Sequence, residues 1–371
     1  MNRCAVSGSN ARCLDSVQGE PSNQTESVAM NSTWQEFLGA SGARIEQNIV
    51  ADFGDLTAEL VAARDATVIA PLAHLGLIEC VGEDAKSFLQ NQLTSNVNQL
   101  TADSAQHSAW CTAKGRMQAS FVLYRVESGF RALLSADLVA ATLKRLQMFV
   151  LRSKTKLADL SSAYEVIGVS GPDAEADLKK AGLPILAESL RTASFEHGTL
   201  IRLELNRWLV VVASAAAPDL WKRLAENARP VGTPAWYWLD VQAGVPLITE
   251  ATKEAFVPQM ANFDKIGGVS FNKGCYPGQE IVARTKYLGK VKRHLYRIQA
   301  AVPMKAGDGL CSPESPETAC GTIANAAPSP AGGFEALGVI QESFADNGTL
   351  RLGTPDGPVL SVALIDVEAD V

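Results

Sequence analysis

Residues 78 to 89, IECVGEDAKSFL, and residues 167 to 178, IGVSGPDAEADL, share one pattern at an offset of 89: apolar, Gly, any residue, Asp, Ala, then helix. Each reads as a short strand, a glycine turn and a helix opened by acids, which suit the positive end of a helix dipole. Leu89 and Leu178 take the same place on the two helix faces. A second echo follows in the same order. ALLSADLVAATLKRL (132 to 146) and VVVASAAAPDLWKRL (210 to 224) each pass from an apolar strand through small residues into an amphipathic helix ending Lys-Arg-Leu. Strands such as SFVLYRV and TLIRLEL lie between the paired helices. Loose βα units match by chance, but two echoes in one order favour a duplicated β-α-β-β-α-β unit, the ferredoxin-like arrangement, and so an α+β fold.

From 292 onward helical periodicity gives way to short β-rich runs, among them RHLYRIQAAV, ACGTIANAA and EALGVIQESF, separated by Gly, Pro, Asn and Asp. They predict a small antiparallel barrel or sandwich over 289–371. The duplicated region then spans 31–288, and the junction is a natural place for a small-molecule pocket. Residues 1–30 are polar and Ser/Asn-rich without an apolar core, so they read as a solvated tail, with Met30 as the expected natural start.

A net charge of −7 argues against a general nucleic-acid binder or membrane-surface protein, and no apolar run approaches the roughly 18 residues of a spanning helix. Seven cysteines without a CxxC pair suit a reducing compartment, so the cytoplasm is expected. The four histidines are scattered, and no metal site is expected. Nothing demands more than a monomer.

The chemistry concentrates in FNKGCYPGQEIVARTKYLGK, 271 to 290. Lys273, Cys275, Tyr276, Gln279 and Glu280 bring cation, thiol, phenol, amide and acid together between flexible glycines. A thiol reacts as its thiolate, which nearby cations favour, although a lone Cys is also a small buried hydrophobe. Residues 281 to 307 contain no acid but carry Arg284, Lys286, Lys290, Lys292, Arg293 and Arg297, either an anion-focusing surface or a solvated face. In PQMANFDKIGG, Gln259 and Asn262 can fork hydrogen bonds to a heterocycle. In AWCTAKGRM, Trp110, Lys114 and Arg116 surround a turn at Gly115, suiting a flat anionic ligand or simply a hairpin corner. GxGxxG, P-loop and GxSxG motifs are missing.

KGCYPGQE resembles the signature of the YgfZ family, folate-dependent factors in iron–sulfur enzyme maturation related to the glycine-cleavage aminomethyltransferase, or T-protein. The resemblance runs from about Leu72 to the C-terminus. It implies a duplicated ferredoxin-like region and a C-terminal barrel in a ring around a folate channel, with tetrahydrofolate as cofactor and iron–sulfur client enzymes, including tRNA-modifying ones, as partners. It implies functional roles for Cys275 and Lys273. Trp110, Lys114, Arg116, Gln259, Asn262, Tyr276, Gln279, Glu280 and Arg284 are then expected to face folate. Two departures matter. Where aminomethyltransferases carry paired aspartates stand Ala119 and Ser120, and their Arg-x-Glu-Ala-Gly reads Asp240, Val241, Gln242, Ala243, Gly244. Transfer needs a positioned acid or base, so folate binding without aminomethyl transfer is expected. A folate-dependent one-carbon transferase and an RNA-binding module are the alternatives.

Overall fold

A computed structural model describes residues 30–287, 289 and 291–365. The expected tail, with Cys4 and Cys13, and Lys290 of the basic run lie outside the described residues. Helix α1 (Ser32–Ala40), hairpin β1 (Arg44–Glu46) and β2 (Ile49–Asp52), helix α2 (Leu56–Asp65) and strand β3 (Val68–Pro71) come first. The first half then runs β4 (Leu75–Val81), α3 (Ala85–Gln92), β5 (Ala105–Cys111), β6 (Met117–Val126), β7 (Gly129–Ser135), α4 (Val139–Val150) and β8 (Lys156–Asp159). The second runs β9 (Tyr164–Ser170), α5 (Ala174–Lys180), β10 (Thr192–Phe195), β11 (Gly198–Arg202), β12 (Arg207–Ala213), α6 (Ala217–Ala225) and β13 (Arg229–Pro230).

The first sheet has the order β5-β6-β7-β4-β8 and the second β10-β11-β12-β9-β3-β13. Each half therefore carries one strand more than β-α-β-β-α-β requires, β5 or β10 at the edge. The second sheet also takes in β3 from ahead of both halves, pairing antiparallel with β9 and parallel with β13. The echoed glycines have a steric cause. Gly82 and Gly171 both hold positive φ, and a Cβ on either would collide with a passing backbone carbonyl, Lys154 or Ala66. Glycine alone avoids both penalties.

Helix α7 (Thr233–Ala243) opens on Pro234 and ends at Gly244 in the left-handed conformation. Helix α8 (Gln279–Tyr287) follows the cysteine segment. The remainder is β14 (Arg293–Ala300), β15 (Gly309–Cys311), β16 (Gly321–Pro328), β17 (Phe334–Gln341), α9 (Glu342–Asn347), β18 (Arg351–Leu352) and β19 (Ser361–Leu364). These strands form a curled sheet, β18-β15-β16-β17-β14-β19. Its edges meet where the Leu352 N–H bonds Pro358 O and the Leu360 N–H bonds Leu350 O. Asn325 ties this sheet to the first half's side of the molecule, its amide exchanging bonds with the N–H and carbonyl of Leu247 at 2.9 and 3.0 Å. No helix among the described residues is long and apolar enough to cross a membrane.

Candidate functional site

A channel opens between the two sheets, α7 and the loop 245–247, with about 610 Å3 of empty space counting its open mouth. Leu133, Leu209, Phe121, Trp236, Pro246 and Phe263 give it apolar walls. Its polar groups are His107, Ser120 and Arg207 from strands, His74 and Glu204 from the turns before β4 and β12, and Asp240 from α7. Alternation along a strand sends every second side chain to one face, so His107 looks into the channel while its neighbours Gln106 and Ser108 bond Ser95.

Arg207 is 2% exposed and donates to Asp240 at 2.5 Å, with its guanidinium 5.7 Å from the Trp236 ring centre. Burial raises the Asp240 carboxyl above its ordinary value, and Arg207 pulls it back down only in part. His107 Nε2 stands 3.4 Å from Glu204 Oε1. Burial alone would raise Glu204, but the hydrogen bond and charge of His107, with Arg207 beyond, bring it down to about 2. Its other oxygen, Oε2, is buried without a partner. His74 packs edge-on to Tyr237 at 4.7 Å, and both its ring nitrogens are buried and unpartnered. Burial lowers its pKa to about 3, so the ring is neutral at physiological pH. A neutral imidazole and a carboxylate oxygen with unused hydrogen-bonding capacity are the signature of a polar ligand site.

The cysteine segment lies elsewhere, on the β5–β6 turn. Gly278 holds φ +82°, and a Cβ there would strike the Thr112 carbonyl and the backbone of Gly115. The Lys273 ammonium donates to the carbonyls of Leu93 and Ser95 at 2.6 and 2.7 Å. Burial lowers its pKa to about 8. Its charge is therefore committed to backbone rather than to the thiol. Cys275 is exposed, whereas Cys80 and Cys111 are buried and pushed up to about 12 by desolvation. Tyr276 is buried, and Gln279 bonds Lys273 O at 3.2 Å.

None of the eleven residues expected from the signatures lines the channel. Gln259 donates to Val282 O at 2.6 Å and so anchors α8, with its amide oxygen buried and unpartnered. Asn262 caps a short turn in the left-handed conformation its type tolerates, with its amide nitrogen buried and unpartnered. Arg116 donates to Ala255 O at 2.6 Å, while Lys114, Glu280 and Arg284 are exposed and Trp110 lines a different cleft. The basic run is dispersed: Lys286 sits 3.8 Å over the Phe271 ring, Arg293 bonds Ala319 O, and Arg297 bonds Gln242 O. At the replaced positions, Ser120 accepts from the Ile248 N–H, Ala119 is core, and Gln242 donates to Glu335. Sequence reasoning missed His74, His107, Glu204 and Arg207. The one signal was an arginine opening the apolar strand RWLVVV, where a charge must find a buried partner.

Residues 50–266 match the GCVT N-terminal domain. The chain is 34% identical over 247 residues to the tRNA-modifying protein YgfZ of Vibrio vulnificus strain YJ016, covering 67% of this chain and 72% of that protein. It is 34% identical over 243 residues to the tRNA-modifying protein YgfZ of Sodalis glossinidius, covering 64% and 74%. The fold resembles the crystal structure of glycine cleavage system aminomethyltransferase T from Bartonella henselae, with a TM-score of 0.76 at 16% identity over 89% of this chain and 95% of that one.

Proposed function

This chain belongs to the YgfZ family, built on the GCVT N-terminal domain, and from that premise we propose that it binds tetrahydrofolate and supports iron–sulfur cluster assembly or repair in client enzymes, tRNA-modifying ones among them. The observation carrying this reading is the channel's pair of unsatisfied buried groups, His74 and Glu204 Oε2, between aromatic walls. Tetrahydrofolate fits that donor set: its pterin has a flat face and an edge of N–H donors. Glu204 would accept from that edge, held in place by His107. Phe121 and Trp236 would flank the ring, and His74 would offer one donor and one acceptor. Bound tetrahydrofolate supplies a carrier for one-carbon units. Among the described residues lining the channel, no acid is free to move protons on it. Glu204 is held ionised by His107, Asp240 is paired with Arg207, and Ala119, Ser120 and Gln242 stand where the transferase acids would be.

Cys275 is placed to meet a client, because a thiol must be reached before it can react and this one faces solvent. We read the two halves as a duplicated ferredoxin-like unit, 31–288, closing a ring with a 289–371 barrel, and the whole as a cytoplasmic monomer. The shared element order and offset of 89 support the duplication.

Calorimetric titration with tetrahydrofolate tests the ligand. Glu204→Gln should weaken binding at least tenfold while leaving the melting temperature nearly unchanged. Absence of binding to the wild-type chain would end the proposal. In a deletion strain, Cys275→Ala should keep folate affinity but lower client-enzyme activity. Full client activity there would remove the thiol's role, and folate-dependent methylene transfer in vitro would favour the transferase reading instead.

A further inference from the structure

A second cleft, with about 910 Å3 of empty space counting its open mouth, lies between α4 and the β5–β6 hairpin and shares no lining residue with the channel. Trp110, Gln118, Thr142, Met148 and Phe149 form it, with Lys144, Arg145 and Lys253 alongside. Three features make it more than a surface dent. The first is a bulge: pairing jumps from Trp110 opposite Ala119 to Cys111 opposite Met117, leaving Gln118 as the extra residue. Such an insertion re-aims a side chain. Gln118 is 3% exposed, and its amide has no partner among the described residues. The second is Trp110, 2% exposed, whose indole N–H is buried without an acceptor while its ring meets Phe149 edge-on at 6.4 Å. One buried donor, the indole N–H, is thus unspent on this cleft, and the Gln118 amide, without a partner among the described residues, opens onto the same cleft.

The third feature is the mixture of charge and apolar surface. Helix α4 contains no acid. Lys144 and Arg145 have no counter-ion among the described residues, and Lys253 shares Glu250 at 3.2 Å. Ala141, Arg145, Met148 and Phe149 fall on one side of the helix, because residues three and four apart are neighbours there. Met148 is 69% and Phe149 44% exposed. Large apolar side chains left open beside unpaired cations fit a ligand that is apolar at one end and negative at the other.

We propose that this cleft binds a small amphipathic anion. A flat apolar group lies against Phe149, Met148 and Trp110. An acceptor meets the indole N–H and the Gln118 amide, and a carboxylate, sulfonate or phosphate sits among Lys144, Arg145 and Lys253. The proposal is independent of the channel's reading.

The probe is 1-anilinonaphthalene-8-sulfonate, with uncharged N-phenyl-1-naphthylamine as its control. The sulfonate should bind at one equivalent per chain, quench tryptophan emission, and weaken as salt is raised. K144E/R145E should weaken it at least tenfold without altering binding of the neutral control, and Phe149→Ser should weaken both probes. All three positions are exposed, so the variants should melt like the wild type. Unchanged sulfonate affinity in K144E/R145E, competition by tetrahydrofolate, or no binding at all would overturn the proposal. If tetrahydrofolate fails to bind while the sulfonate behaves as expected, the channel's reading falls and the cleft's stands.

Discussion

The helices that carry Lys-Arg-Leu, α4 in the first half, which runs one turn past it to Val150, and α6 in the second, hold the same place in the chain order but have opposite surroundings. Around α6, Trp221 is 2% exposed, meeting Trp34 of α1 edge-on at 5.7 Å and Phe53 face-on at 5.8 Å. Lys222 lies 5.7 Å from the Phe37 ring. Around α4 there is no such cover, and Met148, Phe149 and Leu151 face solvent. The halves also divide the chemistry. Both send polar groups into the channel, His107 and Ser120 from the first and Glu204 and Arg207 from the second, but the first also receives the cysteine segment on its hairpin turn. Two halves with the same order of elements along the chain thus differ in use, one helix covered and its counterpart left open.

The contrast breaks most easily at the covered helix. Trp221→Ala should cost about 4 kcal/mol, since a large buried ring leaves a cavity. Phe149→Ala should cost no more than about 0.5 kcal/mol. Urea denaturation measures both, and similar losses would mean that α4 is covered as well. At the hairpin turn, Gly278→Ala should cost about 3 kcal/mol from strain and collision, and should raise the alkylation rate of the otherwise buried Cys111. Gly274→Ala, with nothing within 4 Å of its Cβ, should be nearly silent.

The smallest effect is in pH dependence. Glu165 occupies in β9 the place that Gly76 holds in β4, and burial raises it to about 7 despite the Ser214 hydroxyl. The folded state therefore favours the protonated acid. That contribution is complete below the ordinary value near 4.5 and is lost as pH rises through about 7. Glu165→Gln should gain about 3 kcal/mol over wild type at pH 8, and the gap should close near pH 4. A gap independent of pH would mean that the carboxyl stays ionised throughout.

Much of the frame could be read from residues alone. The offset of 89 joins β4 to β9 end for end, because both the glycine turn and the helix start are local signals. The edge strands β5 and β10 and the insertion of β3 escaped notice, since strand pairing across a long gap leaves no local pattern. The site was less legible. KGCYPGQE announces chemistry, yet Lys273, Gln279 and Gly278 use their types to hold backbone in place. The channel's polar residues stand singly, in strands, in the turns before β4 and β12 and in α7, and only the meeting of two sheets brings them together.

Two stretches some 160 residues apart, TAKGRM and KGCYPGQE, touch glycine to glycine, with Gly115 and the Thr112 carbonyl filling the space a methyl on Gly278 would need and Ile281 crowding the one Gly115 would need. They behave as one part made from two pieces. A graft of the thiol loop into a foreign scaffold must therefore bring its hairpin partner, and a chimera that exchanges only one of them between relatives will join surfaces that no longer match.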